Sequence, residues 1–325
     1  MVDSISKTPV SFEVASSIVA DAFGRGVALV DLSELTEGWF NAAYTMSLDD
    51  GRRCVLKVAP PPDVTVMRYE HEIMATEITA LRVVRERTSV PVPEVLWSDT
   101  SCRRLPSELF VMEFCEGALL KDLRPSLDAQ QQRVIDAQVA GFLRQMHGIV
   151  GPAFGLQTPS APGFATWRDA FVHLFDDVVA DGEDLSVDLP LGFGALRTLV
   201  RDHAEVLDEV TVPRFVHWDL WDANVFVDPP TLAVTGVIDF ERALWADPLM
   251  EGQFLRLLDD PAFMDAYELP IMEPPGAPVR RLLYDLYLFV IMVVEVAFRH
   301  YPTDDIERLA RARLATTLDR FAALA

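Results

Sequence analysis

The sequence predicts an α+β chain of two lobes: a smaller N-terminal lobe built on an antiparallel sheet, residues 1–115, and a larger, mainly helical C-terminal lobe, residues 116–325. Three observations carry this. Asp49-Asp50-Gly51 lies between two strand-like runs, a hairpin signature. Beyond Glu116-Gly117 apolar residues recur mostly at helical spacing. One β-rich interruption, Phe215 to Phe240, breaks that helical series and gathers carboxylates.

The bulk properties set limits. A chain of 325 residues suits one large domain or two lobes, and its apolar half and charged quarter are ordinary globular composition. With 28 basic and 50 acidic residues the net charge is −22, a field that repels nucleic acid and anionic membrane surfaces and attracts cations. That charge serves solubility or selects a cationic substrate; both readings stand. Cys54, Cys102 and Cys115 are odd in number and lack metal-ligand spacing, which points away from a disulfide framework and toward a reducing compartment. No basic-then-apolar leader is visible, and the apolar run Leu286 to Val294 is too short for a membrane span. The expected location is the cytoplasm.

In chain order, strands are expected at Ala43 to Leu48 and Arg53 to Ala59, stopped by Pro60-Pro61-Pro62. In the second, Cys54, Leu56 and Val58 share one face and Val55, Lys57 and Ala59 the other. A helix from about Val66 to Arg87 follows, then short strands at Glu94 to Trp97 and Leu109 to Met112. The break at Glu116-Gly117 before a long helical region suits a hinge. Asp128 followed by Gln131 is a capping pair for a helix carrying Ile135, Val139, Phe142, Leu143 and Met146. Helical segments continue at Trp167 to Val179 and Ala195 to Val210.

The β-rich interruption carries the chemistry. It reads His217-Trp218-Asp219-Leu220-Trp221-Asp222-Ala223-Asn224, then an apolar strand, an Asp228-Pro229-Pro230 turn, and a return strand ending Val237-Ile238-Asp239-Phe240-Glu241. If the strands pair, Asn224 and Asp239 meet at the open end with Asp219 just beyond. Clustered hard oxygen donors suit Mg²⁺, which keeps waters and phosphate oxygens as its other ligands. An Asp five residues before an Asn, with a strand-terminal Asp after it, matches the base, metal ligand and metal ligand of phosphoryl transfer. Lys57, a charged residue inside a strand after the hairpin, is the candidate for the nucleotide phosphates. Glu77 is chosen as its carboxylate partner, while Glu70 and Glu72 read as solvated helix charges.

At these residues the chain resembles the aminoglycoside phosphotransferase family, small-molecule kinases with a protein-kinase-like fold. The resemblance runs through Leu35 to Asn41, Val55-Leu56-Lys57-Val58, Pro91 to Val95, Val111 to Phe114, the His217 to Asn224 loop and Ile238 to Ala243. It implies ATP bound at a hinge around Glu113 to Cys115 through backbone groups, with Gly38 in the loop covering the nucleotide. It implies Lys57 on the phosphates paired with Glu77, Asp219 as the catalytic base, Asn224 and Asp239 on Mg²⁺, and His217 holding the loop's shape. Three departures stand out. Trp218 replaces a frequent Gly, so its indole could crowd or shape the substrate side; the nucleotide loop has one glycine; and Glu241 with no Ala-Pro-Glu disfavours protein substrates.

The expected acceptor is a small-molecule hydroxyl, on a cationic, aminoglycoside-like compound if Asp222, Asp247 and Glu251 face it. Asp247 could equally cap a helix, and Glu295 reads as the partner of an Arg. Trp39, Trp97, Trp167, Trp221 and Trp245 read as core or lobe-interface residues, and His147 as a helix C-terminal cap. The alternatives are a metabolic kinase of choline, homoserine or sugar type, a nucleotide-binding pseudoenzyme, and a metal hydrolase using His217, Asp219 and Asp239.

Overall fold

A computed structural model of the chain describes residues 7–36, 40–253, 261–268, 275–299 and 303–324. The N-terminal part runs α1 (Phe12–Phe23), β1 (Leu29–Leu35), β2 (Ala42–Leu48), β3 (Arg53–Val58), α2 (Ile73–Arg87), β4 (Val95–Asp99) and β5 (Leu109–Glu113). Its strands form one antiparallel sheet in the order β1-β2-β3-β5-β4. The β2–β3 hairpin turns at Gly51, whose φ of +85° needs no Cβ to accommodate. Ser11 caps α1 by accepting from Val14 N. One sheet face, including Cys54, Leu56 and Val58, packs under α1. Val55 and Phe110, on the other, join a core shared with Met74 and Ile78 of α2.

The expected helix from Val66 begins late. Arg68–Glu70 is a single 3-10 turn, and Glu72 has a φ of 57°, so α2 starts only at Ile73. Tertiary contacts outweigh the local helical pattern here: Met67 and Tyr69 are buried in the C-terminal core, and Arg68 N donates to Asp181 at 3.0 Å. Glu70, read as a solvated charge, is instead buried and ion-paired with Arg299.

The chain crosses over through 114–117 into β6 (Ala118–Leu119) and α3 (Leu120–Leu123). At the crossing Gly117 has a φ of +121°, and a Cβ there would lie 2.7 Å from Val227 O, so glycine lets the segment lie against the returning strands. Next come α4 (Ala129–His147), β7 (Gly155–Leu156), α5 (Trp167–Asp184), α6 (Phe193–His203), β8 (Arg214–Val216), β9 (Val225–Asp228), β10 (Ala233–Val237) and β11 (Leu244–Ala246). The last three helices are α7 (Pro261–Tyr267), α8 (Ala277–Arg299) and α9 (Asp305–Ala322). The Asp128–Gln131 capping box opens α4. β10, β9 and β6 make one small sheet and β7, β11 and β8 another. The main C-terminal core is built around α5, α8 and α9. Among the described residues no helix is long and apolar enough to cross a membrane, and Leu286 to Val294 lie inside α8, mostly buried.

Candidate active site

The β9–β10 hairpin forms as its sequence requires, Val225 opposite Val237, and Ile238 N donates to Asn224 O at 3.0 Å across its open end. That closure places Asn224 and Asp239 side by side. Asn224 Nδ2 donates to the Asp219 carbonyl at 2.8 Å and to Asp219 Oδ2 at 3.3 Å, which leaves its Oδ1 free to serve as a ligand. Lys57 projects from β3 into this corner, only 8% exposed. Its Nζ donates to Glu77 Oε2 at 2.7 Å and Oε1 at 2.9 Å, and to Asp239 Oδ1 at 2.8 Å. The face of β3 that looks toward α2 therefore carries the one lysine that meets both the helix carboxylate and the hairpin carboxylate.

Charge follows from this packing. Burial works against the Lys57 ammonium, yet Asp239, Glu77 and Glu241 hold its pKa raised. Burial also opposes the Asp239 carboxylate, but Lys57 wins and keeps it below its usual range. Burial raises the Glu77 carboxyl against the pull of Lys57. Burial pushes Asp219 up to about 8, with nearby Asp239 adding to the rise and Arg242 opposing it.

The loop carrying Asp219 is held from beneath. His217 is fully buried; burial lowers its pKa, its Nε2 lies 3.0 Å from Ile238 O, and Asp219 N donates to its Nδ1 at 3.2 Å. These bonds assign the neutral Nε2–H tautomer and a shaping role. Trp218 takes a φ of 56°, a conformation that favours glycine. Its indole is buried and stacks on Tyr287, ring centroids 5.2 Å apart and planes 8° off parallel. The ring is held inside the C-terminal core.

Two expected substrate residues are corrected by burial. Glu251 is fully buried below the loop, accepting from His217 N at 2.6 Å and Trp218 N at 3.2 Å. Asp247 is buried too, receiving Arg280 Nε at 2.9 Å and Tyr284 OH at 2.7 Å, while its Oδ1 caps the following turn through Leu249 N at 3.0 Å. The third, Asp222, is gripped by Nε and Nη2 of Arg124, at 2.5 and 2.9 Å. All three spend their acceptor oxygens on the protein.

Other expectations fall out as follows. Glu113 ends β5 with its carboxylate turned to Glu94 N at 2.9 Å and Arg85, and Cys115 lies half-buried with its thiol pushed up to about 12 by burial. Gly38 and Trp39 lie outside the described residues. Trp221, expected in the core or at the lobe interface, is 47% exposed on the 217–224 loop. His147, expected as a helix cap, is buried instead, with Nδ1 bonded to the Tyr267 hydroxyl and Nε2 3.6 Å from Glu251. Glu295 pairs with Arg299 at 3.1 Å and Arg242 at 3.6 Å.

The sequence reading missed three participants. Glu241 has a carboxylate oxygen within 4.8 Å of one on Glu77 and one on Asp239, and it accepts from Asn41 Nδ2 at 2.7 Å. Its signal was the Asp-x-Glu spacing at 239–241. Arg242 reaches Tyr69 OH at 3.2 Å, and Arg124 anchors Asp222. Neither arginine advertises its partner locally. Carboxylate oxygens of Glu77, Asp239 and Glu241 lie within 4.8 Å of one another, and Asn224 sits at the same hairpin end as Asp239; hard oxygens of this kind fit a divalent cation such as Mg²⁺.

The profile of the phosphotransferase enzyme family, APH, matches residues 31–267. A subtelomeric hrmA-associated cluster protein of Aspergillus fumigatus is 29% identical over 126 residues, 38% of this chain and 24% of that protein. The chain thus aligns with only about a quarter of that curated relative's length. In fold it is similar to a protein described as a fructosamine-3-kinase from Thermobifida fusca, with a TM-score of 0.66, 18% identity, and 94% and 98% of the two chains covered. It is also similar to the aminoglycoside phosphotransferase APH(4)-Ia bound to ADP and hygromycin B, with a TM-score of 0.64, 21% identity, and 94% and 97% covered. The family match spans the hairpin, the buried lysine and the His217 to Asn224 loop together. The chain belongs to the APH phosphotransferase enzyme family.

Proposed function

We propose that this kinase moves the γ-phosphate of ATP to a hydroxyl of a small molecule, with Asp219 as base and Asn224 and Asp239 as the residues that would hold Mg²⁺. One observation carries the reading: Lys57 bonds Glu77 and Asp239 at once, beside the Asn224–Asp219 pair. Bound Mg²⁺ supplies charge neutralisation across the nucleotide phosphates. Lys57 is the cation for those phosphates, fixed by Glu77 and able to exchange Asp239 for a phosphate oxygen. Asp219 receives the acceptor's proton as that oxygen bonds to the γ-phosphorus and the bond to the β-phosphate breaks. The hinge at Glu113 to Cys115 is the place for the nucleotide base, following β5 and preceding Gly117.

The acceptor reading is a hydroxylated compound of the antibiotic kind, supported by the hygromycin B and gentamicin held in similar structures. A metabolic acceptor of sugar type is the second reading. It is favoured by the engagement of Asp222, Asp247 and Glu251 with the protein, which leaves none of them to hold an amine. A panel of aminoglycosides, macrolides, sugars and amino-alcohols, read by acceptor-dependent ADP release, separates the two. Asp219→Ala should abolish release with nucleotide affinity near wild type; retained turnover removes Asp219 from the mechanism.

A further inference from the structure

The turn that presents Asn224 is held by a residue far from it in sequence. Asp222, Ala223 and Asn224 form one 3-10 turn between Asp219 and β9. Arg124 lies on the 3-10 turn Arg124–Ser126 just after α3, within a few residues of the hinge crossing. Its Nε and Nη2 meet Asp222 Oδ2 and Oδ1 at 2.5 and 2.9 Å, a two-pronged grip on both carboxylate oxygens. The same guanidinium reaches Asp136 of α4, with Nη2 to Oδ1 at 2.9 Å and Nη1 to Oδ2 at 3.4 Å. Arg124 therefore joins the post-hinge segment, α4 and the catalytic turn, and its side chain is only 22% exposed.

This grip explains why an acidic residue that seemed free for substrate is not. A planar guanidinium held between two carboxylates fixes direction as well as distance, which a lysine would not do. Backbone bonds close the 222–224 turn on Trp221 O (Asn224 N, 2.9 Å) and tie Asn224 O to Ile238 N at 3.0 Å, and the Asp222 side chain adds the hold on its first residue. With Asn224 Nδ2 spent on Asp219, small rotations of the turn decide where Asn224 Oδ1 points.

Building on the kinase reading above, we infer that Arg124 is the positioning residue for the Asn224 metal ligand, through its two-pronged hold on Asp222. It touches neither nucleotide nor acceptor in this role. Losing such an outer support costs metal sites about 10-fold or more in affinity.

The test needs no knowledge of the acceptor. ADP binding is measured by calorimetry with Mg²⁺ varied, on wild type, Arg124→Met, Arg124→Lys and Asp222→Asn. Expected for Arg124→Met and Asp222→Asn is a half-saturating Mg²⁺ raised about 10-fold, with metal-free ADP affinity within about two-fold of wild type. Arg124→Lys, which keeps the charge and loses the fork, should fall between. The double variant should be no worse than either single, since both remove one contact. Unchanged Mg²⁺ dependence in a folded Arg124→Met or Asp222→Asn overturns the inference, as does full additivity in the double. If Arg124→Met does not fold, Asp222→Asn decides alone. Wild type that binds ADP with no response to Mg²⁺ is a different failure, one that removes the metal-dependent kinase reading itself.

Discussion

Replacing Asp219 by Asn separates the residue's charge from its shape. The carboxamide keeps an oxygen for Asn224 Nδ2 and the same volume in the loop. The folded wild-type carboxyl titrates at about 8 against an ordinary 3.8, chiefly through burial, with Asp239 adding and Arg242 subtracting. A raised folded pKa means that between about pH 4 and 8 the folded state holds a proton the unfolded chain has released. Stability therefore falls as pH rises through that window, and the full penalty is present above it. At about 1.4 kcal/mol per pH unit the ceiling is about 6 kcal/mol. Asp219 is only partly buried, and solvent screening reduces the figure to about 2 kcal/mol. For a chain of this size that corresponds to roughly 4 °C in melting temperature. Nucleotide-free Asp219→Asn should thus melt roughly 4 °C above wild type near pH 9, with the gap closing near pH 5, while phosphate transfer is lost. Thermal melts across pH, followed by circular dichroism, check this. A variant no more stable than wild type near pH 9, or a gap indifferent to pH, would refute the argument that the base is kept at a cost to the fold.

Three further outcomes follow from the packing. Lys57→Met leaves Glu77 buried without its cation, so it should lose about 3–5 kcal/mol in urea melts. Burial already raises the Glu77 carboxyl, so the loss should be larger near pH 8 than near pH 5, and equal loss at both would show that Glu77 is not the group left stranded. Glu251→Gln keeps volume but weakens the acceptor for His217 N and Trp218 N. Turnover should drop about 10-fold or more with the KM for ATP little changed, and unaltered turnover would mean the loop is shaped without it. Trp218→Gly should relieve about 1–2 kcal/mol of backbone strain but remove a buried indole worth about 3–5 kcal/mol. A net loss is expected in urea melts, and a gain would show that strain outweighs packing.

The legible parts of this protein were the local ones. Asn224 and Asp239 could be placed together because a hairpin with a Pro-containing turn has its register set by its own strands. Lys57 could be singled out because a charge inside an apolar strand needs a partner, and Glu77 lies 20 residues on, on the next helix. The acceptor side was not legible. Asp222, Asp247 and Glu251 look alike in sequence, and their fates depend on Arg124, Arg280 and His217, which are 98, 33 and 34 residues away. A net charge of −22 suggested a surplus of carboxylates for a cationic substrate, yet these three are engaged inside the molecule. The start of α2 was misread for the same reason, since Met67, Tyr69 and Glu70 answer to the C-terminal core and Arg299 rather than to helical periodicity.

Trp218 joins these two levels. Read as a departure from glycine, its indole could have crowded or shaped the substrate side. Its ring instead lies between Tyr287, stacked at 5.2 Å, and the Arg242 guanidinium, which sits 5.7 Å from the Trp218 ring and 5.7 Å from Tyr69. The layers run Tyr69, Arg242, Trp218, Tyr287, from the segment before α2 through the hairpin end to the 217–224 loop and α8. A glycine at this position would adopt the required φ at no steric cost but would leave the loop free to take others. Tryptophan takes it under strain and is then pinned by aromatic and cation–π contacts, so the strain becomes rigidity next to Asp219. Arg242 also opposes the rise of the Asp219 pKa, and its neighbour Glu241 accepts from Asn41. The substitution that looked like crowding is better understood as the loop's internal support. On the proposed reading of Asp219 as base, its backbone is fixed before an acceptor binds.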